Sequence, residues 1–265
     1  MMKKSILLFS LFLFVISCGE YQKVLKSSNI DYKYNKAIEY YENEDFVRAM
    51  PLFRELTTML RATKKSEEVM YYLAYCHYNQ SDFITSSYLF KNYVATFPYG
   101  SHVEECFYMG AYCVYLESPS HSLDATYTQK AIGELQEYLD KYPNGNKIIE
   151  CEKHIKELNK KLALKAFENA KQYYTTEYYK SAIISLNNML IDYPGSIHRE
   201  EAQFLILKSS YELAINSISS KFEERLRNTI DAYLVFKDNY PLSQYIKQAT
   251  KINEQTIQKL NNINN

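Results

Sequence analysis

An aromatic residue followed by proline recurs four times: Phe97-Pro98, Tyr142-Pro143, Tyr193-Pro194 and Tyr240-Pro241, with the prolines 45, 51 and 47 residues apart. Proline cannot continue a helix, and the small or polar residues after each pair (Gly100-Ser101, Asn144-Gly145-Asn146, Gly195-Ser196, Ser243) suit a stop followed by a new start. Upstream of each proline, apolar residues recur at i, i+3, i+4 and i+7. Twelve residues before the prolines stand Ser86, Ala131, Ala182 and Thr229, all small; eight before stand Phe90, Leu135, Leu186 and Tyr233, all large. Small residues let helices approach closely and large ones fill the space between neighbours. The chain is therefore read as a repeated helix pair. Only 6 Gly and 6 Pro in 265 residues exclude a sandwich or barrel that turns every ten residues, and 46% hydrophobic residues exclude disorder.

A partner helix precedes each proline-terminated one, with a small residue near its middle such as Ala74 or Ala170. This pattern resembles the tetratricopeptide repeat. The expected fold is all-α, a tetratricopeptide-repeat superhelix of about five helix pairs with a C-terminal capping helix. The pairs lie near 30–62, 66–98, 101–143, 163–194 and 198–241; the first shows the frame Ala37, Tyr40, Phe46, Ala49, Phe53 and Leu56 without a final proline. As domains, 30–98 forms repeats one and two, 101–162 repeat three plus a charged linking helix (147–164), and 163–260 repeats four and five plus the cap. Ile246, Ala249, Ile252, Ile257 and Leu260 form the cap's apolar stripe, and 261–265 frays. Ser101 with Glu104, and Thr126 with Gln129, fit capping boxes. Insertions at 117–122 and 216–221 extend repeats three and five, and Pro51 is expected to kink its helix.

The first residues read as an address. Lys3 and Lys4 precede an uncharged apolar run, Ser5 to Ile16, which is shorter than the roughly 20 residues a membrane span requires. Residues 1–17 are read as a signal peptide ending in Val15-Ile16-Ser17-Cys18, which resembles a bacterial lipoprotein box, with Cys18 the lipid attachment residue and 18–29 a pliable tether. Gly19 follows Cys18, so the Asp that retains some lipoproteins at the inner membrane is absent. Localisation at the periplasmic face of the outer membrane follows as an expectation.

No catalytic motif stands out. The five His are scattered without HExxH, and neither GxSxG nor a phosphate loop occurs. Cys151 and His154 lie one helical turn apart but lack further ligands at metal spacing, so no metal site is assigned. No cofactor is expected beyond the covalent lipid on Cys18. Cys76 and Cys113 follow Ala74 and Ala111 at equivalent repeat positions, which favours buried free thiols over disulfides. With 31 basic and 31 acidic residues there is no cationic excess for nucleic acid. The function class left is binding. Tyr40, Tyr41, Tyr72, Tyr75 and Tyr78 on the first helices of repeats one and two are the candidate substrate groove, since tyrosine offers apolar area with a polar handle.

A lipoprotein box followed by five such repeats resembles the BamD family of the outer-membrane β-barrel assembly machinery. The most specific strings are Glu117-Ser-Pro-Ser-His-Ser-Leu-Asp124, followed by Thr128 and Ala131-Ile132, and Lys161 through Ala170 leading by Tyr173 and Tyr179 to Tyr193-Pro194. The resemblance implies a non-enzymatic adaptor that binds the aromatic-ended C-terminal signal of unfolded outer-membrane proteins with repeats one and two, and BamA with repeats three to five. Ser118, Pro119, Asp124, Tyr173, Tyr179 and Tyr193 are the implied partner interface. Proteobacterial members carry Arg in the repeat-four helix that meets BamA, whereas Ile183 to Asp192 contains none. The alternative is another periplasmic tetratricopeptide-repeat lipoprotein that coordinates envelope or peptidoglycan processes.

Overall fold

A computed structural model describes residues 19–61 and 63–263. The expected signal peptide, 1–17, and the expected lipid attachment residue Cys18 lie outside the described residues. Among those described there is no strand. A leading helical segment, 19–26, is followed by eleven helices. They are α1 (Ile30–Glu42), α2 (Phe46–Met59), α3 (Lys65–Asn79), α4 (Phe83–Thr96), α5 (Val103–Leu116) and α6 (Thr126–Lys141). Then come α7 (Ile148–Thr175), α8 (Tyr179–Asp192), α9 (Arg199–Ile215), α10 (Ser219–Asn239) and α11 (Ile246–Ile263). Successive helices from α1 to α10 form five pairs and α11 packs on α10, as the repeat frame requires.

The small and large positions read from the prolines do what their sizes dictate. Ser86, Ala131, Ala182 and Thr229 are wholly buried, as are Phe90, Leu135 and Leu186, with Tyr233 nearly so. Burying each large side chain contributes about 1.5–3 kcal/mol. At the crossing of α3 and α4, Ser86 is close enough to donate its hydroxyl to the Ala74 carbonyl at 3.0 Å. Turns within pairs are tight: Glu44, Ser81 and Glu177 adopt φ of 59°, 60° and 65° just past a helix end, the left-handed position where glycine is usual. Asp45 and Asp82 then cap the next helix through Arg48 N and Thr85 N, each at 3.2 Å.

Among the described residues the helices group into two compact units, 19–119 with 126–155, and 120–125 with 156–263. The first contains α1 to α6. One of its core clusters includes Ala37, Ala49, Leu52, Phe53, Leu56, Val69 and Leu73. In the second, Phe167, Leu186 and Met189 form one cluster, and Phe204, Leu207 and Phe236 another beside Ala249 and Ile252 of α11.

Several sequence expectations are corrected. Residues 19–26 are not a pliable tether: Val24 is buried in the first core and Tyr21 donates to the Arg48 carbonyl at 3.3 Å. Lys33, itself buried, donates to the Leu25 carbonyl at 2.9 Å and pairs with Glu55, tying this segment to α1 and α2. The expected linking helix at 147–164 has no end of its own, because α7 runs 28 residues from it into the fourth pair. Residues 216–221 are not an extended insertion, since α10 begins at Ser219 and the extra length lies in helices of 17 and 21 residues. In α11 Thr256 is buried while Ile257 is exposed, a one-residue shift of the expected stripe. Residues 261–263 are helical. Pro51 sits inside α2, which is continuous through it.

Ser101 is not a helix cap. Its N–H and hydroxyl donate to Glu67 at 2.7 and 2.9 Å, while Glu104 accepts from Tyr138. These contacts recur with the repeat. Glu67 also accepts from Tyr93 at 2.5 Å, and Glu104 from the Asn146 N–H at 2.8 Å. A carboxylate in the first turn of α3 or α5 thus reaches forward, 26 and 34 residues from Glu67 and 34 and 42 from Glu104, and ties down the end of its own pair. A Cβ at Gly100 would fall 2.7 Å from Glu67 Oε1, and one at Gly145 2.5 Å from Tyr138 Oη. Glycine is required at both turns because the lock fills the space.

Candidate functional site

The first helices of the first unit carry tyrosines at a spacing that brings rings of successive pairs together. Tyr41 of α1 meets Tyr72 of α3 at 4.7 Å, and Tyr72 stacks on Phe53 at 5.5 Å and 16°. From Tyr72 the run continues through Tyr71, Tyr75 and Tyr78 of α3, with Tyr71 and Tyr75 at 4.8 Å. Tyr78 reaches Tyr112 of α5 at 6.5 Å, and Tyr112 and Tyr115 stack at 5.6 Å. His154 closes the run, 4.2 Å from Tyr115. The tyrosine rings of the run are half-buried.

Four of the five candidate groove tyrosines, Tyr41, Tyr72, Tyr75 and Tyr78, lie in this run. Tyr40 does not: its ring packs edge-on against Tyr21 at 5.7 Å, beneath the Arg48 guanidinium at 5.8 Å. Tyr112, Tyr115, His154 and Glu105 complete the site and were not placed in the groove from the sequence, where His154 was weighed only beside Cys151 as a metal ligand. The signal was there for one of them, because Tyr112 stands 34 residues after Tyr78, as Tyr75 does after Tyr41.

Hydroxyl chemistry in the run is governed by burial and by Glu105. Tyr71 and Tyr75 both donate to Glu105 Oε1, at 3.1 and 2.5 Å, while His102 stacks on Tyr71 at 4.2 Å. Burial pushes the Tyr75 hydroxyl well above its ordinary pKa, reinforced by the Glu105 hydrogen bond. Burial pushes Tyr41 up to about 12 and raises Tyr72 and Tyr78. Tyr71 and Tyr75 thus spend their protons on Glu105, whereas Tyr41, Tyr72 and Tyr78 are neutral donors on an apolar face. Such a surface can hold aromatic or aliphatic side chains and offer hydroxyls to backbone carbonyls.

The six implied partner residues divide between the units. In the first, Ser118 shares a hydrogen bond with Thr128 at 2.7 Å, fixing the loop to α6, and Pro119 is half-buried beside it. In the second, Asp124 and Tyr173 are exposed, and Tyr179 packs on Tyr174 at 6.0 Å. Tyr193 packs against the Phe167 and Leu186 cluster and is thus partly a core residue. Lys165 donates to the carbonyls of His121 and Leu123 at 3.2 and 2.6 Å, seating the 120–125 loop on α7. A polar cleft of about 470 Å³ lies there, lined in part by His121, Lys165, Asn169 and Gln172.

Cys76, Cys106, Cys113 and Cys151 are free and buried. Burial raises the thiols of Cys76 and Cys151 to about 12 and of Cys113 to about 11, which makes them inert at neutral pH. Among the described residues no group of three or more His, Cys, Asp or Glu could hold a metal, and no helix is long and apolar enough to cross a membrane.

No curated protein matches the chain. Among solved structures, the chain is similar to the TPR2AB domain of yeast Sti1, determined as its pHSP90 complex. That match has 13% identity and a TM-score of 0.40, and covers 86% of this chain and 98% of that one. The TPR domain of P58(IPK) matches at 12% identity and a TM-score of 0.42, covering 90% and 68%. The family YfiO, described as outer membrane lipoprotein, matches residues 28–226, three quarters of the sequence. The match takes in the tyrosine run, the seated loop and both halves of α7, and on this evidence the chain belongs to the YfiO family of outer membrane lipoproteins.

Proposed function

We propose that this lipoprotein is a non-catalytic adaptor in the assembly of β-barrel outer-membrane proteins. Cys18 carries the lipid that holds it at the periplasmic face of the outer membrane. The first unit receives the C-terminal signal of an unfolded barrel protein, an extended segment ending in aromatics. Residues of the third to fifth pairs, among them Ser118, Pro119, Asp124, Tyr173, Tyr179 and Tyr193, bind BamA, and further assembly subunits join the complex. The observation that carries the reading is the half-buried aromatic run from Tyr41 to Tyr115, with the neutral hydroxyls of Tyr41, Tyr72 and Tyr78 along it. An extended peptide whose alternate side chains are aromatic would lay rings against this face and accept hydrogen bonds through its carbonyls.

The test is a binding titration of the mature protein with a synthetic peptide ending in aromatic residues. Removing one ring that contacts the peptide costs about 1.4 kcal/mol or more, so Tyr75→Ala should weaken binding about tenfold. Equal affinity for a peptide with its aromatics changed to Ser would sink the substrate reading. Capture from detergent-solubilised membranes tests the partner: recovery without BamA would overturn that half alone.

A further inference from the structure

Residues 19–26 enter the first unit in a defined direction. Tyr21 lies beside Tyr40 and Arg48, at the end of α1 and the start of α2, while Leu25 lies beside Lys33 near the start of α1. Gly19, two residues before Tyr21 and about 3 Å further along the helix, therefore sits at the end of the unit where the Asn43–Asp45 turn joins α1 to α2. The next turn lies alongside, for Gln80 of the α3–α4 turn donates to Met50 Sδ at 3.7 Å. One edge of the first unit thus carries both turns and the residue that follows Cys18.

This edge bears exposed apolar residues at matching repeat positions. Val47 and Ile84 each stand two residues before the small crossing residue of the second helix, Ala49 or Ser86, and are 69% and 59% exposed. Tyr88, one turn after Ile84, is 67% exposed. In the later pairs the same position holds Gln129, Lys180 and Arg227. An apolar residue is placed there only in the two pairs nearest the chain's start. The two turn carboxylates are already engaged: Asp45 caps α2, and Asp82 caps α4 while accepting from His77 Nδ1 at 2.8 Å.

We infer that this edge rests on the lipid bilayer, with Val47 and Ile84 entering the headgroup boundary and Tyr88 at its polar margin. The inference deepens the reading of Cys18 as the acylated residue and rests on it. With Val24 buried and Gly19 already helical, there is no slack chain between lipid and fold, so the anchor selects which face meets the membrane. Exposed Glu42 and Glu44 on the same edge keep the contact shallow. Tyrosine suits the interface because its ring is apolar and its hydroxyl is not.

The chain contains no tryptophan, so single tryptophans report position directly. The mature chain is coupled at Cys18 to a maleimide phospholipid. The buried thiols, with their raised pKa values, leave Cys18 as the reactive one. Val47→Trp, Ile84→Trp and, at the opposite end of α4, Tyr99→Trp are each bound to phosphatidylcholine–phosphatidylethanolamine vesicles carrying brominated acyl chains. Interfacial side chains reach about 5–10 Å into the acyl boundary, so Val47→Trp and Ile84→Trp should lose about half their fluorescence while Tyr99→Trp is unchanged. Quenching of Tyr99→Trp to the same degree, or no quenching at 47 and 84 in vesicle-bound protein, would overturn the orientation. Because the lipid is coupled chemically, this result is independent of acylation in cells; that is tested separately by palmitate labelling of the intact chain and its Cys18→Ser variant.

Discussion

At the scale of single residues, the repeat ends depend on a few polar atoms. Glu67 gathers the Tyr93 hydroxyl and both Ser101 donors, and these hydrogen bonds, that of Tyr93 foremost, hold its carboxyl below its ordinary value of 4.5. A depressed carboxyl contributes stability above its unfolded pKa and loses it as the pH falls through the folded one. Tyr93 is raised by burial and by Glu67, so its contribution is present below 10 and is lost at higher pH. Urea unfolding across pH should therefore show stability falling off below about 4.5 and above about 10, with Tyr93→Phe flattening both limbs relative to the parent. Gly100→Ala and Gly145→Ala should each cost about 1–3 kcal/mol, measured as a lower denaturation midpoint, because the added methyl meets the lock itself. The sequence displayed Glu104 and Ser101, but as a local cap. A partner 34 residues away leaves no mark in the neighbouring residues, so the local reading was the wrong one.

For elements, legibility followed how local the determining contact is. The second helices were readable because the crossing residues Ser86, Ala131, Ala182 and Thr229 recur at a fixed distance from a proline, and each is buried. The leading segment was not read as structure, although Tyr21, Val24 and Leu25 have helical spacing, because eight residues without a partner would not hold a helix. The partner is α1 with α2. Replacing Val24 with Ala should destabilise the first unit by about 2 kcal/mol, seen in its unfolding transition. Replacing Lys33 with Ala should cost more than an exposed ion pair would, since Glu55 and the Leu25 carbonyl both lose their donor. The phase of α11 was misjudged at Thr256 because periodicity alone does not separate adjacent residues at the edge of a stripe. The tyrosine site was legible in part: four rings were found from their density on α1 and α3, whereas Glu105 and His154 enter through contacts between helices that no motif announces.

Across the whole molecule, composition and structure agree on why so little glycine and proline is needed. Four of the five helix pairs turn with three residues, the third pair alone needing nine, and at Glu44, Ser81 and Glu177 even the left-handed position is filled by another residue. The tyrosine excess has two destinations. Tyr93 and Tyr138 are buried repeat locks, whereas Tyr72, Tyr75 and Tyr78 belong to the half-buried aromatic run. The packed leading segment also decides how the protein responds to mechanical load. Tension applied at the chain's start runs along the axis of the 19–26 helix. It is borne in shear by Val24 in the core and by the Tyr21 and Lys33 hydrogen bonds, so a pull on Gly19 reaches the first repeat undamped.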